Sequence, residues 1–349
     1  MAFTNINNGK EYFNSVTYTG NGSTQSITGV GFQPEFTWIK NRSNIGDHAL
    51  HDIIRGVTKR LDSNTTDAEI TQSNGVTSFD SDGFSLGSAG NYNASSDSIV
   101  SWNWLAGGTA SSNTDGSITS SVSANTDSGF SIVSYTANGV AGATIGHGLG
   151  AVPQVIITKD RDATSNWFMY HIGTDASAPE DKYMELESAD AVQDFPVWND
   201  TAPTSSVFSI GTAAGNNTNG NDIIAYCFTE KKGFSKFGSY TGNGNADGPF
   251  VYTGFKPAFV ITKRTETSGF WWEMVDTARE PANPSDQTLY ANRNDAEYTA
   301  SGYNKDLLAN GFKMRGTNGG HNASGGSYIY MAFAEHPFVS STGTPVTAR

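Results

Sequence analysis

Val16-Thr-Tyr18-Thr-Gly-Asn-Gly22 followed by Gly31-Phe-Gln-Pro34-Glu-Phe36-Thr-Trp38-Ile-Lys40 is a pair of phrases that this chain writes three times. The second copy is Val133-Ser-Tyr135-Thr-Ala-Asn-Gly139 with Leu149-Gly-Ala-Val-Pro153-Gln-Val155-Ile-Ile157-Thr-Lys159. The third is Gly238-Ser-Tyr240-Thr-Gly-Asn-Gly244 with Gly254-Phe-Lys-Pro257-Ala-Phe259-Val-Ile261-Thr-Lys263. The tyrosines recur at intervals of 117 and 105 residues. That period is too long for a solenoid repeat and suits a whole small domain. One fold carried three times with different loops suggests a building or binding device before it suggests an enzyme.

Each Pro-x-apolar-x-apolar-x-Lys segment alternates with period two, the signature of a strand, and proline is tolerated at a strand's first residue. A second recurring segment is Gly83-Phe84-Ser-Leu86-Gly87, matched by Val207-Phe208-Ser-Ile210-Gly211 and Gly311-Phe312-Lys-Met314-Arg-Gly316. A third closes each copy: Val100-Ser-Trp102-Asn-Trp104, Ile224-Ala-Tyr226-Cys-Phe228 and Ile329-Tyr-Met331-Ala-Phe333. The large residues of this closing strand define its core face. A polar turn precedes it at Asn93, Asn217 and Asn322.

Many short strands separated by Gly and Asn turns predict an all-β protein of three tandem antiparallel β-sandwich repeats, lectin-like or jelly-roll-like. The divisions fall at 1–107, 130–232 and 233–349, with a Ser/Thr/Gly linker over 108–129 whose middle, Ser117 to Ala124, adds an edge strand. Each repeat has enough residues for its own core. Short helical stretches are expected near His48 to Arg60 and near Trp272 to Glu280, and a short N-terminal arm over Met1 to Lys10.

Charged residues are 16% of the chain, while aromatics reach 12% and glycines number 39. So many aromatics argue against disorder, and the glycines serve turns. The net charge of −13 and the lack of a basic run exclude nucleic acid as the expected partner. No apolar stretch approaches the length of a membrane helix, and no signal peptide opens the sequence. The single cysteine, Cys227, has no partner for an internal disulfide. Synthesis in a reducing cytoplasm is expected.

Candidate chemistry is sparse. Asp52 and Arg55 stand three apart, as do Asp276 and Arg279, which reads as an ion pair pinning a loop. His48 and His51 lack a third zinc ligand nearby. Asp80-Ser-Asp82-Gly83 lacks the rest of a calcium loop, and Gly146-His-Gly148-Leu-Gly150 lacks the spacing of a dinucleotide cradle. No catalytic residue, metal site or cofactor is predicted. Trp102, Trp104 and Trp38 belong to core faces, whereas Trp167, Trp198, Trp271 and Trp272 fall in the divergent middle loops. Adjacent tryptophans on a strand point to opposite faces. Either one of Trp271 and Trp272 stands exposed beside Arg264 and Glu266 for stacking on a sugar, or a neighbouring loop or subunit covers it. The candidate ligand-binding residues are therefore Trp271, Trp272, Arg264 and Trp167.

The phrases Tyr-Thr-Gly-Asn-Gly, Gly-Phe-x-Pro-x-Phe-x-x-x-Lys, Asp-x-x-Arg and Gly-Phe-x-Leu-Gly resemble repeat domains in structural proteins of tailed bacteriophages. The similarity is closest to predicted tail-fibre or appendage proteins of marine phages, and it runs from about Val16 to Phe338. It implies a non-enzymatic virion protein, made in the host cytoplasm, with lectin-like β-sandwich modules. The expected job is a tail fibre or receptor-binding appendage contacting a host-surface glycan, alongside other virion proteins and as a homo-oligomer, with a trimer favoured. A purely structural capsid decoration or tail adaptor is the alternative, and a polysaccharide depolymerase is the third. The second repeat departs from the pattern, with His171 and Thr174 in place of Asp and Arg.

Overall fold

In a computed structural model, which describes residues 4–299, 302–340 and 342–346, strand makes up 42% and helix 5%, so the protein is all-β. Three large antiparallel sheets form where the alternation predicts strands. The first runs in the order Phe13–Thr19, Ser98–Trp104, Phe36–Asn41, Ala49–Asp52. The second has Phe130–Thr136, Asp222–Phe228, Val155–Asp160, Phe168–His171 in those places, and continues through Lys182–Glu185 and Gln193–Asp194. The third has Ser235–Thr241, Ser327–Pro337, Phe255–Arg264, Glu273–Asp276, then Gln287–Tyr290 and Tyr298–Thr299. In each, the closing strand pairs with the tyrosine strand on one side and the proline strand on the other.

A small sheet lies outside each large one: Gln25–Thr28, Gly83–Leu86 and Val76–Asp80, then Ala143–Gly146 with Val207–Ile210, then Phe250–Tyr252, Gly311–Met314 and Lys305–Leu308. The stretch 108–129 is built into the second large sheet, where Ser111–Asn113 and Ser120–Asn125 extend its edge. The helical stretches expected near His48 and Trp272 are instead the strands Ala49–Asp52 and Glu273–Asp276, each ending in a turn. Asp and Arg three apart fit that turn as well as a helix. Of the expected N-terminal arm, residues 1–3 lie outside the described residues; beyond them Thr4 and Ile6 are buried, and a Cβ at Gly9 would come within 2.4 Å of Ala334 O.

The recurring phrases work by binding each other. The hydroxyls of Tyr18, Tyr135 and Tyr240 donate to the carbonyls of Tyr92, Asn216 and His321, at 2.8, 2.9 and 2.9 Å. Those carbonyls belong to the short helical turns Gly90–Asn93, Ala214–Asn217 and Gly319–Asn322. Asn93, Asn217 and Asn322 are buried at the end of each turn. Their amides donate to Gly87, Gly211 and Gly316, and their Oδ1 atoms accept from the backbone of Asn21, Gly139 and Asn243. Gly22, Gly139 and Gly244 sit at φ +71°, +69° and +68°, a left-handed conformation that favours glycine. A buried asparagine with every arm bonded is inexpensive, and one left unbonded is costly.

The faces of the first and second sheets that look toward their small sheets close separate cores with them, around Ile39 and Phe84 and around Ile156 and Phe208. The large faces instead meet in one shared core, which draws on Phe36, Trp102 and Trp104 of the first sheet, Ile157, Tyr226 and Phe228 of the second, and Phe259, Met331 and Phe333 of the third. A small apolar cavity of about 30 Å³ lies among them. Hydrogen bonds run around this core from sheet to sheet. Trp102 Nε1 donates to Asp276 Oδ2 at 3.0 Å, from first sheet to third. The Tyr226 hydroxyl donates to Asp52 Oδ2 at 2.8 Å, from second to first. His171 Nε2 donates to the Tyr330 carbonyl at 3.0 Å, from second to third. Alternation reveals that a face is buried, but not which surface buries it.

The lysines ending the proline strands, Lys40, Lys159 and Lys263, are fully buried. Each Nζ donates to backbone carbonyls: Asn41 for Lys40, Asp160 for Lys159, and Asp190 and Arg264 for Lys263, at 2.7 to 2.9 Å. Burial holds each down from 10.5 to about 8. Between those values the unfolded chain binds more protons than the folded one, so stability rises with pH. The buried Cys227 thiol, pushed up by burial, opposes this with one proton against three. Chemical denaturation should therefore show greater stability at pH 9 than at pH 7.5. A flat or falling profile would mean that the three ammonium groups keep their charge in the fold.

Candidate functional site

Of the four residues singled out in the sequence, two are structural pins. Trp167 and Trp272 are 0% and 1% exposed. Both occupy the position just before the fourth strand of their sheet, where the first sheet has His48. Trp167 Nε1 donates to the Asp62 carbonyl and Trp272 Nε1 to the Glu185 carbonyl, both at 3.0 Å. His48 Nε2 donates to the Tyr290 carbonyl at 2.9 Å, while its Nδ1 accepts from Trp38. All three rings thus tie one sheet to a neighbour. Trp271 and Trp272 are not on a strand, contrary to expectation, because the strand begins one residue later, at Glu273.

Trp271 faces a pocket of about 330 Å³, lined with Phe270, Tyr290, Tyr303, Glu273 and the turn Asn318 to Gly320. Tyr290 meets the Trp271 ring edge-on at 5.0 Å, and the Arg293 guanidinium lies 4.1 Å from its centroid. Arg264 borders the same pocket. Its guanidinium lies 4.7 Å from the Phe270 centroid, and Nη1 donates to the Gly319 carbonyl at 3.2 Å. Its Nε also donates to Glu266 at 2.7 Å, so it is not a free cation. Arg293 is likewise paired, with Asp295.

Glu273 belongs to a buried ionic cluster between the large and small sheets. Its Oε2 lies 2.5 Å from Lys305 Nζ and 3.5 Å from His321 Nδ1. Glu273 is 2% exposed, and Lys305 and His321 are 0%. Burial by itself raises a carboxyl pKa, but the adjacent Lys305 ammonium and His321 overcome it and hold Glu273 down at about 2. Burial lowers His321 below its ordinary value. The topology supplies an internal comparison. Strand register puts Ala49, Val76 and Tyr92 at the corresponding places of the first sheet pair. Phe168, Trp198 and Asn216 occupy them in the second. All six of these are buried. Only the third pair carries charge there.

Glu273, Lys305 and His321 were not foreseen from sequence, since they are far apart along the chain and lie in apolar surroundings. The signal that finds them is charge where the first copy has Ala49 and Val76, and strand register is needed to read it. The other sequence candidates resolve into local structure. Asp52 and Asp276 each hold the arginine three residues on, and Asp82 accepts from the backbone of Gly29 and Gly31. Among the described residues, no group of three or more His, Cys, Asp or Glu is placed to hold a metal ion.

These features define an all-β protein with one aromatic-walled pocket over a buried carboxylate. The chain belongs to a family described as a domain of unknown function, DUF7483, whose model matches residues 8–337. No curated protein and no solved structure matches it.

Proposed function

We propose that this chain is a non-enzymatic virion protein of a tailed bacteriophage, a tail fibre or receptor-binding appendage, that contacts a host-surface glycan through the pocket beside Trp271. The three sheet pairs are, in this reading, three tandem β-sandwich copies of one module, the third specialised for binding. The carrying observation is the pocket itself. Four aromatic rings and a few polar groups converging on one concavity are the usual makings of a small-ligand site, and its volume falls in the range of about 300–1,000 Å³ such sites occupy. The phage assignment rests on the recurring phrases and their resemblance. Other virion proteins and further copies of the chain, a trimer among them, are the partners this proposal carries.

Purified protein should bind host cells saturably, and Trp271→Ala should abolish that binding without lowering the melting temperature. Trp271 is only partly buried, so its removal leaves the core intact. Normal adsorption by particles that carry Trp271→Ala would defeat the receptor role and favour a capsid decoration or tail adaptor.

A further inference from the structure

We infer that the pocket beside Trp271 receives the ring of a neutral sugar, with Glu273 Oε1 accepting a hydrogen bond from one of its hydroxyls. This rests on the glycan-contact reading and narrows it to a ligand class. Glu273 lines the pocket although it is 2% exposed. Lys305 and His321 come close to it at Oε2 as charge partners, yet neither Glu273 oxygen receives a well-formed hydrogen bond from the protein, and Lys305 Nζ and both His321 ring nitrogens are likewise unbonded. A buried carboxylate oxygen without a donor is costly, and a ligand hydroxyl supplies one. In the first two sheet pairs the corresponding places hold Ala49 and Phe168, so the acceptor exists once per chain.

Charge selects the ligand class. Arg264 is matched by Glu266, Arg293 by Asp295, and Lys305 by Glu273. An acidic sugar would call for an unmatched cation, and the pocket offers none among these. A quaternary ammonium would suit four aromatic rings, but Phe270 and Trp271 already have a guanidinium as their cation partner. A neutral pyranose meets neither obstacle. Its apolar face can rest on Trp271, which Arg293 and Tyr290 hold in place, while a hydroxyl reaches Glu273.

The test is calorimetric titration of the full chain with methyl glucoside, methyl galactoside, methyl mannoside and N-acetylglucosamine, set against glucuronate and choline. At least one neutral probe should bind at a single site. Trp271→Ala should remove that binding, and Glu273→Gln should weaken it about tenfold or more, the scale of a hydrogen bond to a charged acceptor. If Glu273→Gln fails to fold because Lys305 loses its partner, Trp271→Ala and Tyr303→Ala carry the test. Preference for glucuronate or choline, no binding of any neutral probe, or neutral binding that survives Trp271→Ala would overturn the inference. Loss of host adsorption in Trp271→Ala without neutral-sugar binding would sink this inference and leave the glycan-contact reading standing. Neutral-sugar binding with adsorption unchanged by Trp271→Ala would do the reverse.

Discussion

Trp102→Ala is expected to lower the stability of the whole chain by about 3–5 kcal/mol, the usual cost of emptying a large aromatic site in a packed core. The ring is 0% exposed and packs against Trp38 and Phe259, the latter from the third sheet. Its Nε1 also donates to Asp276, which holds Arg279. The mutation therefore leaves a cavity and removes a hydrogen bond from a buried carboxylate. Because the core is shared, the loss should not stay within the first sheet. Arg42 and Arg279 both reach Glu297, and Arg55 and Arg161 both reach Glu69, so ion pairs also cross between sheets. Calorimetry should show one transition moving down as a unit. Two transitions, with the later one unmoved, would mean that the sheets unfold independently and that the common core contributes little.

Much of the fold was legible because strands announce their faces. The alternation in Phe36, Trp38 and Lys40, and in Val100, Trp102 and Trp104, predicts the strand and a buried face, and all six residues are buried, as are Thr37, Ile39, Ser101 and Asn103 on the other face. The tyrosine, glycine and asparagine of the recurring phrases signal turns for the same local reason. What periodicity lacks is the identity of the opposing surface. Trp102 could pack on its own sheet's cover or on a neighbour with the same pattern, and Asp276 as its acceptor is 174 residues away. The candidate site was legible only in part. Trp271 reached the pocket for a reason the sequence did not contain, the end of a loop and not the face of a strand. Trp167 and Trp272 carried an overlooked signal: with His48 they form a set of polar-tipped rings at one register, which is the mark of a joint between copies. The charges at Glu273, Lys305 and His321 became visible only once strand register had aligned them with Ala49, Val76 and Tyr92.

Lys305→Val should be among the most damaging single changes in the third sheet pair, costing about 3–5 kcal/mol at pH 7, because it strands the Glu273 charge in the interior. The wild-type pair sets the acid profile. With Glu273 held from 4.5 to about 2 in the fold, its contribution is complete above the ordinary carboxyl value and is lost as pH falls toward 2. In Lys305→Val the larger lowering influence is gone and burial pushes the carboxyl up, so acidification from neutrality toward the ordinary carboxyl value should recover stability in a window where the wild-type contribution stays complete. The triple variant Glu273→Ala, Lys305→Val, His321→Tyr copies the first sheet pair at these places. Exchanging a buried ion pair for apolar residues is often neutral or stabilising, so the triple variant should regain most of what the single one loses. It should also lose the ligand acceptor, which separates the two reasons for keeping a charge there. A chain that binds as before with all three residues replaced would place recognition elsewhere. A Lys305→Val protein as stable as wild type at pH 7 would mean that lysine is not what compensates the Glu273 carboxylate, leaving His321 or water. If the triple variant folds well and binds nothing, the cluster is kept for the ligand and not for the fold.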